Sequence, residues 1–384
     1  MASMSVVNAV NHRSKGLPAD ENALGKLKRI ATGASIVRRL QTTELPEEIS
    51  FKLTQRCDMR CTHCYQWGEG GYHLQEPRGE LAFEIIEQVM AATHARGSNV
   101  FLWGGEPLLY RQWDKLASLL IKHQRWVSVC TNGSLIERRL QSLLSIGNKL
   151  EISVSIDGFE AQHDALRGKG AFAKCLAGVR LLQQHGFSGE LSINTVVSAE
   201  LLPQLAEFVD LVESWGIGTL YISLPWFLSK PAMQKMDAFA AQNLPWLKQL
   251  AKPSWYSYDY SLSADSADAF KAQVAKIAKR LGALKVRYNP ELPDADLQAF
   301  LDGSDKPAQG KTACGAIHAR MDVFPDGSVV SCKFFPEFVM GNLSEKPLAA
   351  IWHGERFETL RKTHQSCGLM PVCAKCNLLY TRGV

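Results

Sequence analysis

Short apolar segments alternate with amphipathic helical patterns between residues 48 and 227. The apolar segments have the length and composition of β-strands, and they are EISFKLTQ, NVFLWGG, WVSVCTNG, LEISVSIDG, ELSINTVVS and TLYISLPW. Strands that alternate with helices in this way form right-handed βαβ units and a parallel sheet. Six repeats are too few for a closed eight-stranded barrel. The sequence therefore predicts an α/β fold whose core is a partial (β/α)6 parallel barrel.

The remaining parts of the chain have different patterns. Residues 1–47 predict a leader with one helix, and residues 228–310 combine helical patterns with the aromatic run SWYSYDYS. Residues 311–384 contain a β-hairpin signal around the turn PDG at 325–327, then a helix and a cysteine-rich tail. We therefore predict four parts: the leader, the barrel core over 48–227, a linking segment, and a small cysteine-rich domain made of a β-hairpin and a helix.

The composition excludes several classes of function. Lys and Arg are scattered and the net charge is only +5, so the chain lacks the basic stripe of a nucleic-acid-binding protein. No apolar run is long enough to span a membrane, and the first residues lack the apolar stretch of a signal peptide. We therefore expect a cytoplasmic protein with neither nucleic-acid nor membrane partners. In that compartment the ten cysteines are not expected to form a disulfide framework.

Three cysteines follow the first predicted strand. Cys57, Cys61 and Cys64 form a CxxxCxxC pattern at the carboxyl end of the predicted sheet, where sites of this architecture lie. Structural zinc is closed by four ligands, so three local thiolates indicate a metal centre with one open position. The spacing suits a loop around one corner of a cuboidal iron–sulfur cluster whose fourth iron has no protein ligand. Zinc with a remote fourth ligand, or three incidental thiols, is the alternative.

The segment CDMRCTHC, the GGEP after the second strand and the six βα units together strongly resemble the radical S-adenosylmethionine (SAM) superfamily. The resemblance covers about residues 48–225 and implies a [4Fe–4S] cluster on the three cysteines, with SAM bound at its open iron. One electron from the cluster would cleave SAM to methionine and a 5′-deoxyadenosyl radical, which abstracts a substrate hydrogen. A flavodoxin- or ferredoxin-type protein is the expected reductant.

The resemblance also implies residues that contact SAM near the cluster. Gly104, Gly105, Glu106 and Pro107 form the GGEP stretch, which the family places at the SAM amino group. Two glycines allow the backbone to approach a ligand closely. His63 stands where the family usually has an aromatic residue beside the adenine, so we expect it there and not as a metal ligand.

Further candidate SAM contacts lie at later strand ends. Ser155 and Asp157 end the fourth strand, where the family contacts the ribose or methionine part of SAM. Either side chain could instead cap the following helix. Arg167 could pair with the SAM carboxylate through a bidentate contact, or it could be a surface arginine. Asn194, on the fifth strand, is a further candidate.

A second set of cysteines surrounds the predicted hairpin and helix. Cys314 precedes the hairpin, Cys332 ends it, and Cys373 and Cys376 form a CxxC after the helix. This set, together with GNL and Trp352, resembles the Twitch domain, a shortened form of the SPASM domain that follows many radical SAM cores. The resemblance implies one fully ligated auxiliary [4Fe–4S] cluster. A structural zinc site is the alternative.

Cys367 departs from the family pattern. In HQSCGLMPVCAKC, His364 stands where SPASM domains carry a cysteine, and the spacing from Cys373 to Cys376 is one residue short. Two complete auxiliary clusters are therefore not expected. Cys367 is interpreted either as a free thiol near the cluster or as an alternative ligand to Cys373.

An open cluster paired with a closed one predicts an oxidative reaction, such as a dehydrogenation or a new C–C or C–S bond. A ribosomally made peptide is the predicted substrate, because many enzymes with this arrangement act on peptides. A small-molecule intermediate, such as a sugar, a nucleoside or another metabolite, is the alternative. A third, remote alternative is that the chain is a non-catalytic iron–sulfur or zinc-binding protein. The run WYSYDY could pair with a peptide strand, although packing onto the barrel is the preferred interpretation.

Overall fold

The computed structural model describes residues 40–75 and 79–384, so the predicted leader helix lies outside the described residues. The described strands form one sheet in the order β10-β9-β8-β1-β2-β3-β4-β5-β6-β7. Their bounds are β1 Glu48–Lys52, β2 Asn99–Trp103, β3 Val127–Thr131, β4 Leu150–Ser155, β5 Glu190–Val196, β6 Thr219–Ser223, β7 Lys285–Asn289, β8 Arg320–Val323, β9 Ser328–Val330 and β10 Val339–Asn342.

Helices connect the strands and pack on the outside of the sheet. Within the described residues their bounds are α1 Phe83–Ala92, α2 Trp113–His123, α3 Ile136–Ile146, α4 Glu160–Arg167, α5 Ala171–Gln184, α6 Leu205–Ser214, α7 Lys230–Asn243, α8 Ser266–Ile277, α9 Asp294–Leu301, α10 Ala316–Ala319, α11 Leu348–Trp352, α12 Glu355–Cys367 and α13 Asn377–Arg382. None of these helices combines the length and the apolar character that a membrane crossing requires.

The strands β1 to β7 pair in parallel, each with the next along the chain. Helices separate these strands and cover the sheet, so the predicted α/β fold with a parallel sheet is confirmed. Within the described residues β7 and β10 form the two edges, so the sheet is open, as expected for a partial barrel.

Strand β7 adds a seventh parallel strand, inside the segment predicted to be helical and aromatic. Its sequence KVRYN pairs with β6, from Thr219 opposite Lys285 to Ser223 opposite Asn289. Sequence patterns missed it because it is short and carries two charged residues. An edge strand tolerates such residues, since one side of it faces solvent. Lys285 and Arg287 are indeed exposed.

The predicted C-terminal hairpin continues the same sheet. Strand β8 pairs in parallel with β1, placing Arg320 opposite Glu48, and β9 and β10 follow it antiparallel. The sheet therefore runs across the predicted boundary at residue 311. The four-part division itself stays a prediction.

The interior face of the central strands is unusually polar for a parallel sheet. Strands buried on both faces are normally continuous apolar runs. Here Ser128, Cys130, Ser153 and Ser155 alternate with core residues such as Ile152 and line an internal cavity of about 450 Å³. Because these interior side chains are small, they leave the barrel centre open for a ligand.

Candidate active site

The barrel cavity is lined by the first cysteine set and by residues that directly follow two of the auxiliary cysteines. On one side it is lined by Cys57, Cys61 and Cys64, which follow β1. Its lining also includes Lys333 and Phe334, which follow Cys332, and Asn377 and Leu378, which follow Cys376. A molecule in this cavity would therefore lie between the two predicted metal centres.

The first three thiols are gathered in one buried loop. Cys57 and Cys64 pack against Cys61, Met59 and Ala171. Burial raises the pKa of Cys57 to about 12 and that of Cys61 to about 11, and neighbouring charges of like sign contribute further. Buried thiols of this kind become thiolates when a metal centre binds and supplies positive charge. The donor set therefore fits a thiolate-ligated iron–sulfur cluster.

An N–H donor from the surrounding structure reaches each of the three sulfurs. The pairs are the backbone N–H of Trp67 to Cys64 Sγ at 3.4 Å, Arg167 Nη1 to Cys61 Sγ at 3.9 Å, and Asn132 Nδ2 to Cys57 Sγ at 4.0 Å. Hydrogen bonds to sulfur orient thiolate ligands and tune the reduction potential of a cluster.

The two glycines of GGEP lie against the backbone that leads into the cysteine loop. A Cβ on Gly104 would lie 2.5 Å from the carbonyl oxygen of Thr54, and one on Gly105 would lie 2.4 Å from that of Arg56. The N–H of Gly105 donates to Thr54 O and that of Glu106 to Arg56 O, both at 2.8 Å. Only glycine permits this approach, so the GGEP backbone fixes the start of the loop.

The Glu106 carboxylate is fully buried at the ends of β2 and β3. It accepts hydrogen bonds from the N–H of Leu108 (3.0 Å), the hydroxyl of Thr131 (2.7 Å) and the N–H of Asn132 (2.8 Å). Burial raises its pKa to about 7, and these donors counteract the increase. Pro107 begins a short 3-10 turn. Glu106 thus joins two strand ends beneath the cysteine loop.

Three predicted SAM contacts form a buried charge network. Arg167 Nε donates to Asp157 Oδ2 at 2.7 Å, and His63 Nε2 lies 3.4 Å from the same oxygen. Burial alone would raise the pKa of Asp157, but Arg167 and then His63 hold it below its usual value. Burial also lowers the pKa of His63. Arg167 is therefore not a surface residue, and it bridges Asp157 to the cysteine loop.

The two remaining strand-end candidates line the cavity. Ser155 and Asn194 both border it, and Asn194 Oδ1 accepts from the Ser223 hydroxyl at 3.0 Å. Phe159 occupies the N-cap position of α4, so neither Ser155 nor Asp157 caps that helix. The alternative capping role is wrong, whereas the contact with SAM stays a prediction.

The four auxiliary cysteines lie close to one another, with Cys376 buried and the other three partly buried. Burial raises the pKa of the thiols of Cys314, Cys332 and Cys373, and it raises that of Cys376 to about 12. The charges of Cys314 and Cys376 raise the pKa values of both Cys332 and Cys373 further. This donor set fits a cluster closed by four thiolates.

Cys367 lies in a different environment. It ends α12, is exposed, and its Sγ lies 3.7 Å from Oδ1 of Asn243. This placement favours Cys373 as the ligand.

The described side chains are not arranged to hold a single metal ion. Across residues 40–75 and 79–384, no group of three or more His, Cys, Asp or Glu side chains lies close enough together to do so. The assignment of individual cysteines to the two clusters therefore stays a prediction.

The aromatic run of the linking segment packs onto the barrel. Trp255 is buried and donates through Nε1 to Asp237 at 2.9 Å, while Tyr258 is buried and stacks on Tyr65 at 4.6 Å. Tyr260 lines the cavity, with its ring 5.3 Å from that of His63. The packing interpretation of this run is therefore the one that the structure shows.

Sequence reasoning missed several cavity residues from distant parts of the chain. Trp226, Asn289, Lys333 and Asn377 line the cavity, but they follow β6, end β7, follow Cys332 and begin α13. For Lys333 one signal was available, namely a basic residue directly after a predicted ligand. The other three meet only because β7 and α13 close around the barrel, which no local pattern specifies.

The chain matches two families. The radical SAM superfamily matches residues 51–212, and the SPASM family, described as an iron–sulfur cluster-binding domain, matches residues 314–377.

Curated relatives align along most of the chain. An AdoMet-dependent heme synthase of Methanosarcina barkeri is 27% identical over 346 residues, covering 87% of this chain and 92% of its own length. The mycofactocin maturase MftC of Mycolicibacterium smegmatis is 26% identical over 340 residues, covering 87% of this chain and 76% of its own.

Solved structures support the fold. Streptococcus suis SuiB bound to S-adenosylmethionine superposes with a TM-score of 0.60 at 17% identity, over 94% of this chain and 80% of that one. The enzyme anSMEcpe with bound AdoMet gives a TM-score of 0.60 at 20% identity, over 88% of each chain.

The cofactors follow from the two domains. A radical SAM domain implies SAM and a [4Fe–4S] cluster that binds it, and a SPASM domain implies auxiliary iron–sulfur binding. The cysteine sets around the cavity provide suitable thiolates for both. The chain is therefore an enzyme with a radical SAM domain over residues 51–212, followed by a SPASM domain over residues 314–377.

Proposed function

We propose that this enzyme oxidatively modifies a ribosomally made peptide inside the barrel cavity, by forming a crosslink, a dehydrogenated residue or a related product. The observation that carries the proposal is that one cavity is lined by the first cysteine set and by residues that directly follow Cys332 and Cys376. When bound, the cofactors supply a 5′-deoxyadenosyl radical from SAM and a second redox centre that can accept an electron. A substrate held between the two sets has access to both.

The residues that would hold the SAM cluster are Cys57, Cys61 and Cys64. GGEP lies beside them, where its backbone carbonyls can accept from the SAM amino group, and His63 borders the cavity beside the cysteine loop. Arg167 has its Nε occupied by Asp157 and its Nη1 directed at Cys61 Sγ, so Nη2 is the nitrogen available to a ligand carboxylate. The auxiliary cluster would be held by Cys314, Cys332, Cys373 and Cys376.

An aromatic wall joins the two cysteine sets along one side of the cavity. Tyr65 follows Cys64 and stacks on Tyr258, and the ring of Trp226 lies 4.5 Å from Tyr258 and 4.0 Å from Phe334. In this proposal the wall would shield a bound substrate from water on that side. Exclusion of water protects reactive intermediates from side reactions.

The relatives support two kinds of substrate. MftC is a mycofactocin maturase by name, at 26% identity, and it supports the peptide proposal. The AdoMet-dependent heme synthase matches along 92% of its own length and supports a second candidate, oxidation of a small-molecule intermediate such as a tetrapyrrole. A cytoplasmic location and a flavodoxin- or ferredoxin-type reductant complete the proposal, because thiolate-bound clusters require a reducing compartment.

The test begins with anaerobic reconstitution of the full chain. Two four-iron clusters correspond to about eight irons per chain, and SAM with dithionite should then give deoxyadenosine. Products of candidate peptides, including any encoded beside this gene, and of iron porphyrins are then sought by mass spectrometry. A peptide product supports the proposal, and a porphyrin product replaces it by the second candidate.

Two sets of variants separate the roles of the clusters. Cys61→Ala should abolish deoxyadenosine formation. The double variant Cys373→Ala/Cys376→Ala should retain deoxyadenosine formation but lose the modified product. If product persists in that double variant, the auxiliary cluster does not accept the electron.

A further inference from the structure

Lys333 presents a cation to the cavity beside the auxiliary cysteines. It follows Cys332 directly and lines the cavity. Its Nζ lies 4.7 Å from the centroid of the Phe101 ring, 4.9 Å from that of Phe334 and 5.6 Å from that of Trp103. Aromatic faces attract a cation, but they supply no counter-charge.

No carboxylate pairs with this ammonium. Among the residues that the structure describes, none of the ion pairs within 4.0 Å includes Lys333. The nearby Asp322 is already bound to Arg320 Nη2 at 2.9 Å, and Arg320 also pairs with Glu48. Lys333 is only partly exposed, and Arg320 places a second positive charge nearby. A desolvated cation without a partner is costly, and an anionic ligand would remove that cost.

A second unused donor lies next to it. Trp103 Nε1 is buried without a hydrogen-bond partner in the described part of the chain, and Trp103 lines the same cavity. Its ring is one of the three that surround the Lys333 ammonium. Buried polar groups are nearly always hydrogen-bonded in folded proteins. Two neighbouring donors without acceptors indicate that the missing partner is an acceptor with negative charge.

Lys375, another lysine near the auxiliary cysteines, forms hydrogen bonds within the protein and so provides a comparison with Lys333. Lys375 lies between Cys373 and Cys376, and its Nζ donates to the carbonyl oxygens of Ala299 (3.1 Å) and Phe300. Its bonding is therefore internal. Lys333 differs because, within the described residues, its ammonium faces three aromatic rings and the cavity and has no hydrogen-bond acceptor.

We propose that Lys333, assisted by Trp103 Nε1, binds a carboxylate of the substrate and so orients it toward the auxiliary cysteine set. This inference rests on the proposed function, since it requires that the substrate enters the cavity between the two sets. The carboxylate would be an acidic side chain or a chain terminus in a peptide, and a propionate in a tetrapyrrole. Lys333 is thus a positioning and specificity-determining residue.

The test measures binding to the reconstituted, SAM-saturated full chain by anaerobic calorimetry, with benzoate and benzamide as probes. The two probes have the same shape, but only benzoate is charged. We expect benzoate to bind about tenfold more tightly than benzamide, because a charge-assisted hydrogen bond is the stronger kind. Lys333→Met should reduce the ratio to about one, and Lys333→Arg should restore part of it.

Lys375→Met serves as the matched control, because its lysine is engaged internally and its loss should leave the ratio near the wild-type value. Iron content and the spectrum of the auxiliary cluster are recorded for every variant, and Lys333→Gln replaces Lys333→Met if the latter loses its cluster. The proposal is overturned if the wild type shows no preference for benzoate, including no measurable binding. It is also overturned if the preference survives in Lys333→Met or in Lys333→Gln.

Competition with benzoate identifies the source of the carboxylate. An iron porphyrin with free propionates is compared with its methyl ester, and a glutamate-containing peptide with its glutamine counterpart. Displacement by an acid but not by its neutral counterpart assigns the source, and equal displacement by both forms contradicts the proposal. Binding is measured without turnover. Failure to find a product would therefore refute the proposed function without affecting the measured preference for a carboxylate.

Discussion

Arg167 and Asp157 form a buried ion pair behind the cysteine loop, with Arg167 Nε 2.7 Å from Asp157 Oδ2. The pair joins the end of α4 to the segment after β4. Asp157 also accepts from the backbone N–H of Val196 at 2.9 Å, and Arg167 reaches Cys61 Sγ. Two neighbouring strands and the first cysteine set are therefore coupled through one carboxylate.

Asp157→Asn should leave the Arg167 charge buried without its counter-ion. Loss of one partner of a buried ion pair costs about 3–5 kcal/mol. We expect a lower Tm and reduced iron on the first cysteine set, both measured on anaerobically reconstituted protein. The exposed pair Lys271–Asp268 provides the control, since Asp268→Asn should change stability by less than about 0.5 kcal/mol. Equal stability of Asp157→Asn and the wild type would contradict the role of the pair.

Gly105→Ala should displace the start of the cysteine loop. The added Cβ would lie 2.4 Å from the carbonyl oxygen of Arg56, and backbone atoms cannot yield as a flexible side chain can. Overpacking of this kind costs about 1–3 kcal/mol, and here it acts beside the predicted SAM site. We expect weaker SAM binding in calorimetry and less iron. Gly70→Ala is the matched control in the same loop, since a Cβ there meets nothing within 4 Å.

The barrel and the first cysteine set could be predicted from sequence because both depend on local patterns. Strand alternation is read from apolar periodicity, and the residues of CxxxCxxC act within one loop. Lys333 and Trp103 could not be paired in this way, since they meet only when the hairpin strand β8 joins β1. The network around Asp157 was also missed, because motif positions do not specify which groups neutralise one another.

Acid should destabilise the protein partly through His364. Burial, with His318 nearby, lowers the His364 pKa to about 4, and neither ring nitrogen has a hydrogen-bond partner within the described residues. In the unfolded chain the imidazole takes up its proton near its usual pKa of about 6.5, so stability falls as the pH drops from there toward about 4. At about pH 5.5 the loss from this group is about 1.4 kcal/mol.

His364→Leu should remove this contribution. The decrease in Tm between about pH 7.5 and about pH 5.5 should be about 2 °C smaller in the variant than in the wild type, measured by anaerobic calorimetry. The exposed His185 provides a control, and His185→Gln should follow the wild-type curve. An unchanged pH dependence in His364→Leu would show that this imidazole is already charged in the folded protein.

Glu48→Gln should release the helix that follows the auxiliary cysteines. Glu48 is 2% exposed on β1 and binds two arginines, Arg320 on β8 and Arg382 at the end of α13, the latter at 2.6 Å. Without its charge, Arg320 and the partly buried Arg382 would lose the carboxylate that they share, at a cost of about 3–5 kcal/mol. Because α13 begins directly after Cys376, we expect the auxiliary cluster to be lost before the SAM cluster.

The measurable result is selective loss of iron. Iron should fall from about eight to about four per chain, while SAM and dithionite still give deoxyadenosine. An exposed glutamate supplies the control, because Glu87 lies on the outer surface of α1, so Glu87→Gln should keep the full iron content. Equal loss of both clusters in Glu48→Gln would mean that the network supports the whole barrel, because β1 leads into the first cysteine loop as directly as α13 follows the second set.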